Sequence, residues 1–139
     1  QLGADCPFFI LNKPAYAEGI GEKLQLINLN LSDWYIAIVR PDIPVPTKEA
    51  FAHVTPHFPK KCCKDIVMQP IETWRHELTN DFERSVFAVH PELATIKQQI
   101  YNMGATYAAM SGSGSALFGF FEKTPEIANE FKDCKKWII

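Results

Sequence analysis

The chain has 139 residues, 47% of them apolar and 22% charged, with a formal net charge of −2. That is one ordinary globular domain with enough chain for a sizeable core, which excludes disorder, collagen and coiled coil. So even a charge balance offers no basic face to nucleic acid or an acidic membrane, and no apolar run approaches the ~18 residues of a membrane span.

The opening QLGADCPFF lacks the basic start of a signal peptide. Beginning at Gln1 on a small-residue turn, the chain reads as a piece of something longer, and the expected compartment is the cytoplasm. Cys6, Cys62, Cys63 and Cys134 form no C-x-x-C pair and complete no zinc spacing with histidine. Bridging the adjacent Cys62 and Cys63 would be strained, so reduced thiols are expected.

In chain order, residues 5–11 predict a short apolar helix starting at Asp5. Residues 16–29 hold Gly19 and Gly21, then alternate through Leu24 and Leu26 like a strand after a turn. WYIAIV (34–39) is the clearest strand, β-branched and aromatic. PDIPVP forces an extended loop, after which Thr47 can cap a short helix carrying Phe51. Residues 53–68 read as loop. Pro70 starts a helix with Ile71, Trp74 and Leu78 on one face. Asn80-x-x-Glu83 resembles a capping box for a helix running to Phe87. Pro91 opens another, with Leu93, Ile96, Ile100 and Met103 facing in and Gly104 just past its end. Residues 106–110 and 115–121 predict two strands. Thr124-Pro125-Glu126 predicts a last helix burying Ile127, Phe131 and Cys134, and KKWII closes on a short strand. The fold class is α+β: a mostly antiparallel sheet with helices on one face.

MSGSGSALFGFF (110–121) raises the functional question. SGSGS is not a Walker A loop, because no Gly-Lys-Ser/Thr follows. It is not a dinucleotide fingerprint, because Leu117 stands where a third glycine belongs and a strand follows. Local reasoning favours a hairpin loop whose glycines supply positive φ. A polar backbone surface beside a phosphate is the alternative. Asp5 is equally open: a helix N-cap, or a carboxylate held at a cleft mouth as a base for an alcohol.

Taken in order, LGADCPFF (2–9), AYAEGIGEKL (15–24), IPVPTKEAF (43–51), TNDFE (79–83) and MSGSGSALFGFF (110–121) resemble the GHMP kinases across essentially the whole chain. GAD-x-PFF with AxAEGIGE narrows the resemblance to one member, whose substrate is a cytidyl diphosphate. The family is two-lobed. Its first lobe carries a glycine- and serine-rich phosphate loop and a catalytic lysine, and neither is found in this sequence. The resemblance therefore implies the tail of a first lobe in residues 1–30 and a ferredoxin-like C-terminal domain in 31–139. The partner is the N-terminal lobe of the same protein, and the chain by itself is inactive.

Residue by residue, the resemblance makes Asp5 the catalytic aspartate that accepts the proton of a substrate 2-hydroxyl, with Ala4 beside it. Thr47 and Phe51 fall in the substrate pocket, Phe51 stacking on the cytosine. Gly112, Ser113 and Gly114 match the third family motif, which supports the phosphate loop. ATP and Mg²⁺ are the implied cofactors, and no residue of this chain is assigned to metal. Asn80, Asp81 and Glu83 read as capping and surface, and His53, His57, His76 and His90 share no spacing. The competing readings are another GHMP kinase of the homoserine or mevalonate type, or a non-catalytic α+β ligand-binding module.

Overall fold

The computed structural model describes residues 3, 6–52, 54–55, 57–127 and 130–139. WYIAIV becomes β3, Tyr35–Pro41, at the centre of the main sheet. It pairs antiparallel on one side with β5 (Leu117–Phe121), in a register that sets Ala37 opposite Gly119, and on the other with β6 (Cys134–Ile138). β4 (Tyr107–Met110) pairs antiparallel with β5, giving the order β4-β5-β3-β6. β3 and β4 are thus parallel with β5 between them. Such a connection must cross over the sheet, and helices supply it: α2 (Thr47–Ala52), α3 (Cys63–Val67), α4 (Ile71–Glu77), α5 (Asp81–Val89) and α6 (Pro91–Asn102). Ahead of the sheet lie α1 (Cys6–Leu11) and a separate hairpin, β1 (Ala15–Glu18) with β2 (Lys23–Leu26).

Period-two alternation sorts the central strands onto two apolar faces. Ala37, Val39, Ala108, Met110, Leu117 and Phe121 face α2, α5 and α6, meeting Ala50, Val86, Leu93 and Ile100. Tyr107, Ala109 and Phe120 face the other way and meet Ile66, Ile71 and Trp74 of α3 and α4. The antiparallel α+β arrangement is as read from the sequence, and the structure adds a second apolar layer behind it.

The approach of α6 to the sheet is closest at Gly119. A Cβ there would lie 2.4 Å from Ile100 Cγ2 and 3.2 Å from Ala105 Cβ. Gly119→Ala is therefore expected to lower unfolding stability by about 1–3 kcal/mol through overpacking. Equilibrium denaturation in urea reads the loss, and in a double-mutant cycle its cost should be smaller in an Ile100→Ala background.

Three expectations need correction. Residues 53–68 are not all loop: α3 forms there, because Ile66 is an apolar anchor for the second face. No helix occupies the described residues between β5 and β6. Ile127 is buried as expected, but Phe131 takes φ +53°, and Cys134 N bonds back to Phe131 O to launch β6, which already pairs at Cys134 with Pro41. Sheet pairing thus outcompetes the helical pattern. The capping box at 80–83 is only half made. Asn80 Oδ1 accepts from Phe82 N at 3.0 Å, whereas Glu83 turns its carboxylate to Met110 N and Lys97. By contrast, α6 ends where predicted, with Gly104 at φ +97°.

Candidate functional site

The loop between β4 and β5 lies at one end of the sheet. Ser111 N donates to Ala116 O at 2.8 Å, and Gly114 N donates to Ser111 O at 3.0 Å, so the backbone folds back on itself. Gly112 and Gly114 both take left-handed backbone, at φ +56° and +95°. Their surroundings differ. A Cβ on Gly114 would press to 2.8 Å from Met110 Sδ, while one on Gly112 would meet nothing within 4 Å. At Gly112 the dihedral alone favours glycine, and the side it presents is open. Among the described residues, no protein group accepts the N–H of Gly112 or Ser113.

Three elements hold this loop. Ser115, buried, donates through Oγ to Pro41 O at the end of β3, 3.3 Å away. The Ser113 and Thr47 hydroxyls share a hydrogen bond at 3.3 Å. Asn80 Nδ2 donates to both Met110 O and Gly112 O at 2.8 Å. Just below, Glu83 Oε1 accepts from Met110 N at 2.8 Å, and its other oxygen pairs with Lys97 of α6. The loop is thus tied to β3, α2 and α5, and through Glu83 to α6.

Of the residues singled out by sequence, the structure brings together Thr47, Ser113 and the two loop glycines. Thr47 is the first helical residue of α2. The Pro46 carbonyl takes the first helical bonds, from Glu49 N and Ala50 N, which leaves the Thr47 hydroxyl for the loop rather than for capping. Phe51 follows four residues on, hence on the same helical face. It is 63% exposed and leans edge-on against Phe82, ring centroids 4.9 Å apart, so most of its ring stays available. Asp5 and Ala4 lie outside the described residues. Sequence reading missed Asn80 and Glu83 as loop contacts. The available signal was the spare donor capacity of an asparagine amide, which capping does not use.

Cys62 and Cys63, like Cys6 and Cys134, are free thiols. Cys62 shares a hydrogen bond of 3.5 Å with the Tyr16 hydroxyl, which ties α3 to the β1–β2 hairpin. That bond holds the Cys62 thiol below its ordinary value and pushes Tyr16 up to about 12.

A serine- and glycine-rich hairpin loop on an antiparallel sheet crossed by helices is the arrangement of a known family. Residues 64–136 match the family model for the GHMP kinases C terminal. The chain belongs to the GHMP kinases. Among curated proteins it is 47% identical to 4-diphosphocytidyl-2-C-methyl-D-erythritol kinase of Parabacteroides distasonis, over 98% of this chain and 51% of that one. It is 49% identical to the protein of that name in Bacteroides thetaiotaomicron, over 87% of this chain and 44% of the relative. The chain therefore spans about half the length of the curated relatives it matches. Among solved structures, a 4-(cytidine 5'-diphospho)-2C-methyl-D-erythritol kinase superposes with a TM-score of 0.72 at 32% identity, over 84% of this chain and 44% of that one. Homoserine kinase from Cytophaga hutchinsonii shares the fold with a TM-score of 0.55 at 14% identity, over 84% of this chain and 44% of its own.

Proposed function

We propose that this chain is the C-terminal part of an ATP-dependent kinase that phosphorylates the 2-hydroxyl of 4-diphosphocytidyl-2-C-methyl-D-erythritol, in the non-mevalonate route to isoprenoid precursors. The observation that carries the reading is identity of 47% sustained over 98% of the chain to a kinase of that name. On this reading residues 1–30 end a preceding lobe and 31–139 form the C-terminal domain. The whole enzyme is cytoplasmic. Among the described residues no helix is long and apolar enough to cross a membrane.

Phosphoryl transfer is mainly positioning and charge neutralisation. ATP fits the open side of the loop, where the Gly112 and Ser113 N–H groups have no protein acceptor among the described residues and can meet anionic oxygens. Gly112, Ser113 and Gly114 would then form one wall of the phosphate site, the other coming from the preceding lobe. Among the described residues no group of His, Cys, Asp or Glu is arranged to hold a metal ion. Asp5, beside Ala4, accepts the proton of the attacking hydroxyl, and Thr47 and Phe51 line the substrate pocket.

Phe51 separates this substrate from other alcohols. An exposed ring offers a stacking face to a pyrimidine, and has no clear use for homoserine. Phe51→Ala should raise KM for the cytidyl substrate about 10- to 100-fold, the worth of one stacked base. The KM for ATP and the melting temperature should barely move.

The decisive test expresses this chain joined to the preceding half that its relatives carry and follows ADP release with several alcohols. Turnover on the cytidyl diphosphate alcohol supports the reading, and turnover on homoserine or mevalonate alone overturns it. The 139-residue chain by itself should bind the cytidyl ligand weakly and ATP barely. Tight ATP binding would contradict the half-site reading.

A further inference from the structure

We infer that Asn80 is a positioning residue for the glycine loop, its amide turning two loop carbonyls inward and thereby aiming the loop's N–H groups at the phosphate side. The inference rests on the kinase reading above. An asparagine amide carries two N–H donors and an acceptor oxygen on one planar group. Capping α5 uses the oxygen alone, accepting from Phe82 N at 3.0 Å. Serine or aspartate would cap equally well. What they lack is the pair of N–H bonds that the amide sends to Met110 O and Gly112 O, both 2.8 Å.

Those two bonds have a directional consequence. In a trans peptide the carbonyl and the following N–H point in opposite directions across a rigid plane. Holding Met110 O against Asn80 sends the Ser111 N–H the other way, where it closes the hairpin on Ala116 O at 2.8 Å. Holding Gly112 O likewise sends the Ser113 N–H away from α5. Among the described residues no protein group receives that N–H. It is the donor that a phosphate oxygen would meet. Gly112, at φ +56° with open space around it, has no side chain to restrain the plane, so glycine's freedom would otherwise let it rotate. Asn80 supplies the restraint from outside the loop.

Asn80→Ser separates the two roles, since serine keeps the cap and cannot reach both carbonyls. In the full-length kinase this variant should keep a melting temperature close to the parent's. Its kcat/KM for ATP should fall about 10²-fold, the scale of a misplaced binding group, with KM for the cytidyl substrate unchanged. Asn80→Asp, which keeps the acceptor and sets a carboxylate against the two carbonyls, should show the same loss. In the 139-residue chain, amide hydrogen exchange at Ser111 and Gly114 should quicken in Asn80→Ser. A parent-like kcat/KM for ATP in Asn80→Ser overturns the inference. If the unsubstituted full-length protein shows no kinase activity, it is the kinase reading that fails. The exchange rates then decide on Asn80 alone: quickened exchange supports the restraint, and unchanged exchange overturns it.

Discussion

Asp5→Asn in the full-length protein should lower kcat by about 10²- to 10⁴-fold, the contribution of a positioned general base. Asparagine matches aspartate in size and cannot take up a proton. The loss should therefore fall on kcat, with KM for ATP and for the alcohol little changed, because neither ground-state contact is removed. Circular dichroism and thermal melting of the variant should match the parent, since the substitution preserves the size and shape of the side chain. Steady-state kinetics settle the point: a variant with near-normal kcat would remove Asp5 from the chemistry. Asp5→Glu, which keeps the carboxylate and displaces it by one methylene, should fall between the two.

Trp74→Ala should remove about 3–5 kcal/mol of unfolding free energy, the usual range for emptying a large aromatic site. Trp74 is 3% exposed. Its ring meets Tyr107 and Phe120 edge-on at centroid distances of 5.6 and 6.0 Å, and its indole N–H donates to Gln69 O at 3.1 Å. The truncation opens a cavity behind β4 and β5 and orphans a carbonyl in the same stroke. A typical domain is stable by only about 5–15 kcal/mol, so this one change consumes much of the margin. Urea denaturation measures it. A loss below about 1 kcal/mol, the level of an average substitution, would mean that α4 is not seated on the sheet as described. Trp74→Phe, which keeps the edge contacts and drops the indole donor, should recover most of the difference.

The sequence was most legible where one local signal had no competitor. WYIAIV became the central strand because β-branched and aromatic residues suit a doubly covered position. The helix beginning at Pro91 kept both ends, set by proline at the start and Gly104 beyond the last turn. The hairpin around SGSGS was legible from glycine alone. Where local and long-range demands conflicted, sequence reading failed. Residues 124–134 carry a helical start and helical spacing, yet β6 claims Cys134 for pairing with Pro41. Glu83 has a capping partner three residues away and instead serves Met110, 27 positions on. α3 was hidden because Ile66 acquires a reason to be helical only once Tyr107 and Phe120 build the surface it covers. Thr47 and Phe51 were singled out through family resemblance alone, and their contacts with Ser113 and Phe82 were not legible.

The bonds that shape the glycine loop join residues far apart along the chain. Ser115 reaches Pro41 across 74 positions, Ser113 reaches Thr47 across 66, and Asn80 reaches Gly112 across 32. Contacts so distant in sequence are slow to form, because the chain must close long loops before any of them gains a bond. The loop is therefore expected to acquire its shape late, after β3 has found β5 and α5 has docked, an order that φ-values at Asn80 and Ser115 would test. A nascent or partly unfolded chain would present the residues SGSGS without the geometry. Competence to meet a phosphate would then appear only with completed folding, and ligand binding at this proposed site would report on the whole domain rather than on the loop alone.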